Sequence, residues 1–224
     1  MEPTELPEWE HLAPGVARLR LPGWDCTAGL VRGEGAALLV DPGASLAQGE
    51  AVRRAAGRLL GDGSHVTHLA LTHPHFDHVL GRPAFDVPVY AAVGAESLLG
   101  TESGRAELGA DAMRHGLDVA EAERAAALLR APDQPVSGEF ALDLGGGRRV
   151  LLANAGPAHS GHDLVLVVPG ERTVVFCGDL VEESGEPQAG PDAVPARWPE
   201  ALDRLLALGG EEAVYVPGHG VLFL

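Results

Sequence analysis

Residues 71–78 read Leu71-Thr72-His73-Pro74-His75-Phe76-Asp77-His78, which places three imidazoles and a carboxylate within six positions. Neutral imidazoles with one hard oxygen suit Zn²⁺ or Fe²⁺, and an exposed polar loop explains so dense a set poorly. The stretch follows an apolar run at 66–72 that predicts a strand, and it leads into a helix or loop around Val79-Leu80-Gly81. One loop cannot close a metal site alone, so the fold has to bring ligands to it from elsewhere. Three candidates stand at the ends of predicted strands. His159 lies in Ala155-Gly156-Pro157-Ala158-His159-Ser160-Gly161-His162, Asp179 in Phe176-Cys177-Gly178-Asp179, and His219 in Val216-Pro217-Gly218-His219-Gly220. Each sits in a glycine-containing turn, where backbone can approach a ligand closely.

The rest of the chain supplies strands enough to carry such ends. Short apolar runs at 16–20, 28–31, 36–40, 66–72, 87–91, 150–153, 164–168, 173–177 and 213–216 predict strands, most of them bounded by Gly, Pro or Asp. Leu46, Val52, Ala55, Ala56, Leu59 and Leu60 share one face of a helix at 46–60. Asp118 with Glu121 three residues on opens a second helix that runs to about Arg130. Trp198, Leu202, Leu205 and Leu206 mark a third, with Pro199 in its first turn. Residues 96–135 hold no clear strand and are rich in Ala, Glu and Arg. They are expected to form a helical connection between halves at 1–95 and 136–224 of one domain spanning 1–224. Strands on both sides of such a connection predict two sheets packed face to face and covered by helices.

Composition narrows the function classes. The formal charge is −16, and all 16 basic residues are arginine. Without lysine there is no Schiff-base chemistry and no P-loop phosphate transfer. The acidic balance argues against a nucleic-acid partner. Apolar runs such as 164–168 fall far short of the ~18 residues of a membrane span. The start, Met1-Glu2-Pro3-Thr4-Glu5, lacks the order of a signal peptide, and Cys26 and Cys177 are too few for a disulfide framework. A cytoplasmic protein acting on a small molecule is the expectation.

The string 73–78 with His159, Asp179 and His219, in that order, resembles the metallo-β-lactamase superfamily over about residues 16–224. The resemblance implies an α/β fold, an αββα sandwich of two facing mixed sheets with a metal site at one edge. It implies that His73, His75 and His159 hold one metal, that Asp77, His78 and His219 hold a second, and that Asp179 bridges them. Two Zn per chain are expected, with Fe or Mn as alternatives. A metal-bridging hydroxide, oriented by Asp77, would then cleave an ester, thioester, lactone or amide. Asp77 is therefore the residue expected to be catalytic, and Asp41 in Val40-Asp41-Pro42 matches a position that supports the metal site from behind. The chain resembles exported β-lactamases less well, since one major class has cysteine at the position of Asp179. It also lacks the C-terminal glutathione-binding part of glyoxalase II. The alternative on the same fold is a persulfide-dioxygenase-like oxidoreductase, with one iron at His73, His159 and Asp179. His162 reads as a structural neighbour of the site, Cys177 as a buried thiol, and Trp24 and Phe76 as residues of a pocket mouth or of packing. His11, His65, His68 and His115 have no motif around them.

Overall fold

In the computed structural model, which describes residues 6–61 and 63–222, the apolar runs fall into two sheets. The first holds β1 (Glu10–Ala13), β2 (Val16–Arg20), β3 (Thr27–Arg32), β4 (Ala37–Val40), β5 (His68–Ala70), β6 (Val89–Ala92) and β7 (Gln134–Val136), side by side in chain order. Its β1–β4 portion is antiparallel and its β4–β7 portion parallel. The second sheet is built from β8 (Glu139–Asp143), β9 (Arg149–Gly156), β10 (Asp163–Val168), β11 (Val174–Phe176) and β12 (Val214–Val216), in the order β12-β11-β10-β9-β8. There β11 and β12 run parallel and the other neighbours antiparallel.

Alternation along each strand sorts the side chains between layers. Leu38 and Val40 of β4 meet Leu164, Leu166 and Val168 of β10 between the sheets. Ala37 and Leu39 point the other way, into a cluster with Val52 and Ala56 of α1 (Leu46–Leu60). Val165 and Val167 turn outward to Ala201 and Leu205 of α6 (Trp198–Gly209). Strands buried on both faces need no polar alternation, and this is why these runs are apolar throughout. The layers are therefore helix, sheet, sheet, helix.

The first long helix keeps its expected limits because both ends carry chemical signals. The Ser45 side chain accepts the Gln48 N–H, and Gly61 ends the helix at φ +68°. The connection between the halves contains α3 (Glu96–Leu99), α4 (Glu102–Arg114) and α5 (Val119–Leu128), the last capped by Asp118 as expected. Three strands were not anticipated: β1, β7 and β8. All are edge strands, mostly exposed, and β7 contains Pro135, so none shows the buried apolar run of an interior strand. The strand expected at 66–72 pairs only over His68–Ala70. Among the described residues no helix is long and apolar enough to cross a membrane.

Candidate metal centre

The expected ligands meet at one edge of the two sheets. His73 follows β5, and Asp77 and His78 lie on the single turn of α2 (Phe76–Val79). His159 stands in the turn between β9 and β10, Asp179 in a 3-10 turn after β11, and His219 just beyond β12. Backbone bonds between these ends hold the edge closed. Leu164 N–H donates to Thr72 O at 2.7 Å across the sheets, and Gly218 N–H donates to Gly178 O at 2.9 Å. Two glycines are required by space: a Cβ on Gly178 would lie 2.8 Å from that of Thr72, and one on Gly218 would overlap Asp179 Oδ1.

Hydrogen bonding fixes which nitrogen of each imidazole faces inward. Carbonyl oxygens only accept, so His159 donates through Nδ1 to Gln188 O (3.1 Å) and His219 through Nδ1 to Trp24 O (2.8 Å). His78 Nδ1 lies 2.9 Å from Asp41 Oδ2, and His75 Nε2 lies 3.2 Å from both oxygens of Asp192. Thr72 Oγ1 donates to Asp41 at 2.6 Å and so accepts from His73 Nδ1 at 3.0 Å. Asp41 takes a left-handed backbone, φ +50°, to receive Thr72 N–H as well. Every outer nitrogen is thus occupied, which leaves five inner nitrogens turned to the centre.

Those nitrogens crowd one another. His75 Nδ1 is 3.0 Å from His159 Nε2, and His78 Nε2 is 3.3 Å from His219 Nε2. Buried His73 Nε2 has no hydrogen-bond partner at all. Asp179 sits among them, 3.2 Å from His78 and His219, 3.5 Å from His159 and 3.7 Å from His73. Asp77 Oδ2 is 3.3 Å from His219 Nε2. Crowded imidazole nitrogens and an orphaned one in a buried site call for a cation. The donor set fits a divalent metal, with ligand atoms of His73–His75–His159 and of Asp77–His78–His219 each within 4.8 Å of one another.

The metal-free electrostatics carry the same imprint. Burial, with His78 nearby, drives His73 well below the ordinary imidazole range, and burial lowers His159 to about 4. Burial opposes charge on His219 too, but Asp179 and Asp77 override it and raise His219 to about 10. His78 is likewise raised well above its usual value by Asp179 and Asp77 against burial. Asp179 is held well below the carboxylate range by His78 and His73, although burial works the other way. Protons and carboxylates share the place a metal would take.

All seven expected ligand residues converge here, together with Asp41. Cys177 is a buried free thiol, and His162 turns away to Val93 O at 3.0 Å. Sequence reasoning missed a loop after the 3-10 turn. From it Asp192 holds His75, Gln188 O holds His159, and Glu182 brings a carboxylate within 4.8 Å of the ligand atoms of His159 and Asp179. Its one advance signal is the position of Glu182, three residues beyond Asp179.

A pocket of about 590 Å³ opens over the centre. Trp24, Phe76 and His115 line one side of it. Trp24 meets Phe76 edge-on at 5.6 Å, and His115 stacks on Phe76 at 5.2 Å.

A family model described as the metallo-beta-lactamase superfamily matches residues 21–219. Solved structures with similar folds include a metallo-beta-lactamase from Pontibacter korlensis, 21% identical, TM-score 0.72, covering 96% of this chain and 92% of that one. Another is the FIM-1 metallo-beta-lactamase from Pseudomonas aeruginosa in its mono-zinc form, 19% identical, TM-score 0.68, covering 99% and 92%. The DIM-1 metallo-beta-lactamase is 19% identical, TM-score 0.68, covering 97% and 92%. No curated protein matches.

Proposed function

The chain belongs to the metallo-beta-lactamase superfamily, and from that premise we propose that it is a dinuclear zinc hydrolase that cleaves an ester, thioester, lactone or amide bond in a small molecule. The observation that carries this reading is the convergence of five inward imidazole nitrogens and two carboxylates at the floor of a pocket. In this reading His73, His75 and His159 would hold one metal, Asp77, His78 and His219 the other, with Asp179 available to both. A metal pair supplies Lewis acidity for the scissile carbonyl and brings the pKa of water toward about 7.

The chain's own residues do the rest. Asp41, Thr72, Gln188, Asp192 and the Trp24 carbonyl keep the outer imidazole nitrogens protonated, so that the inner ones remain ligands. Asp77 has a carboxylate oxygen at the pocket floor, where it can accept a hydrogen bond from the attacking water and set its direction. The Trp24–Phe76 pair forms an apolar wall that keeps solvent from one side of the substrate.

Metal analysis after zinc loading, followed by a hydrolysis screen over esters, thioesters, lactones and β-lactams, tests the proposal. About two Zn per chain and turnover abolished by a chelator are expected. A firm stoichiometry of one, or no hydrolysis of any class by zinc-loaded protein, would overturn it. One iron per chain with oxygen uptake would assign the dioxygenase chemistry instead.

A further inference from the structure

The walls of the pocket carry a strong sign of charge. Glu107 and Asp111 stand four residues apart on α4 and share one face of that helix. Glu182 and Asp192 enter from the loop opposite. Against these four carboxylates the lining offers one guanidinium, Arg114, and its Nη2 is already 2.8 Å from Asp111 Oδ1. His75 is committed to Asp192. No lysine exists anywhere in the chain to change the balance. Trp24, Phe76 and Leu108 with the stacked ring of His115 add a stretch of apolar wall, and Ser184 and Gln188 add uncharged polar groups but no cation.

An acyl compound reaching the metal centre has to lay its arm along this pocket. With its acyl group at the metal centre, an arm ending in a carboxylate would face Glu107 and Asp111 with no free side-chain cation in the walls to answer it. An uncharged, apolar arm would meet aromatic and aliphatic surface and lose nothing. We infer that this pocket selects uncharged acyl substrates with an apolar arm and turns away those whose arm ends in a carboxylate. The inference rests on the hydrolase reading for the bond that is cut, and on the walls alone for the arm that is bound.

Two measurements on zinc-loaded protein test it. Hexanamide and adipamate share a chain length and differ by a terminal carboxylate; calorimetric titration gives an affinity for each, and a parallel titration with acetate gives the part of the adipamate affinity that comes from a carboxylate on zinc. The p-nitrophenyl ester of hexanoate and the mono-p-nitrophenyl ester of adipate give the matching kcat/KM values. Hexanamide and the hexanoate ester should be favoured by about tenfold, the order expected for a unit charge facing like charges at a wet surface. Raising the salt to about 1 M, where the Debye length is about 3 Å, should shrink the gap. The double variant Glu107→Gln/Asp111→Asn, which also frees Arg114, should raise the affinity for adipamate by about threefold or more and leave hexanamide unchanged. Equal or tighter binding of adipamate, a gap insensitive to salt and to the double variant, or no saturable binding of hexanamide would overturn the inference. Discrimination in binding with neither ester cleaved would sustain it, and the hydrolase reading would then be decided by the thioester, lactone and β-lactam arms of the screen.

Discussion

Replacing Asp77 by Asn separates chemistry from architecture at the pocket floor. A carboxylate in the first turn of a short helix has an ordinary explanation, which is to cap the turn, and Asn would serve there almost as well. The geometry removes that explanation. The cap position of α2 is His75, and no side chain makes a capping bond there. Asp77 instead directs Oδ2 to His219 Nε2 at 3.3 Å and to His78 Nε2 at 3.7 Å. Burial opposes its charge, yet His78 and His219 hold its carboxyl below the usual range. The substitution keeps size and shape and removes one negative charge. At 3.3 Å and an effective dielectric constant of about 20, a unit charge pair is worth up to about 5 kcal/mol. That pair belongs to the metal-free site; in the loaded site the same charge would serve the second metal, so its removal should drop stoichiometry from about two toward one. With orientation of the attacking water lost as well, kcat should fall by roughly 10²–10⁴-fold. The far-UV spectrum and the binding of the other metal should persist, because His73, His75, His159 and Asp179 are untouched. Metal analysis, steady-state kinetics on one cleaved ester and circular dichroism read the three expectations together. Near-wild-type kcat with both metals retained would show that the charge of Asp77 does no chemistry, and the proposed mechanism would fall.

Three other perturbations follow from the same geometry. Asp192→Ala removes the acceptor for His75 Nε2 and should weaken metal binding by about 10–100-fold in competition with a chromophoric chelator, whereas unchanged affinity would mean the contact is idle. Gly218→Ala forces a Cβ onto Asp179 Oδ1 and should abolish metal uptake; a variant with normal metal content and Tm would contradict the packing described. Proton linkage gives the third. His219, raised to about 10, is protonated in the metal-free site at neutral pH, so zinc uptake should release about one proton or more per chain to a pH indicator. The same shift stabilises the metal-free fold fully below pH 6.5 and is lost as pH rises toward about 10, so the Tm of chelated protein should decline across that window. A flat profile would refute the assignment.

Much of the architecture was legible because interior strands and capped helices leave strong local signals. The run at 164–168 is apolar since both faces of β10 are buried, and Ser45 and Gly61 mark the ends of α1 chemically. Three of the four edge strands, β1, β7 and β8, escaped notice for the opposite reason. In β8 only Leu142 is buried, so the sequence there carries no alternating imprint. The seven residues of the candidate centre were legible through donor chemistry and their place at strand ends. Asp192, Gln188 and Glu182 were not, because they lie on a loop with neither periodicity nor motif. What they do depends on where the chain folds back, and no local pattern encodes that.

The convergence of ligands from both sheets also bears on how the molecule is made. His73, His75, Asp77 and His78 belong to the first sheet, and His159, Asp179 and His219 to the second. The final ligand reaches its place only when Gly218 O has received the Thr27 N–H and Gly220 O that of Arg18 Nη1. Each of these contacts joins segments about two hundred residues apart, and such closures are slow because their entropy is spent before they are rewarded. A partly synthesised chain holds the string at 73–78 but not the acceptors of the other half. A divalent metal encountered at that stage would find an incomplete cage, and a lasting complex would have to wait until the two halves have docked. Metal supply should therefore govern how long the finished fold survives rather than how quickly it is reached.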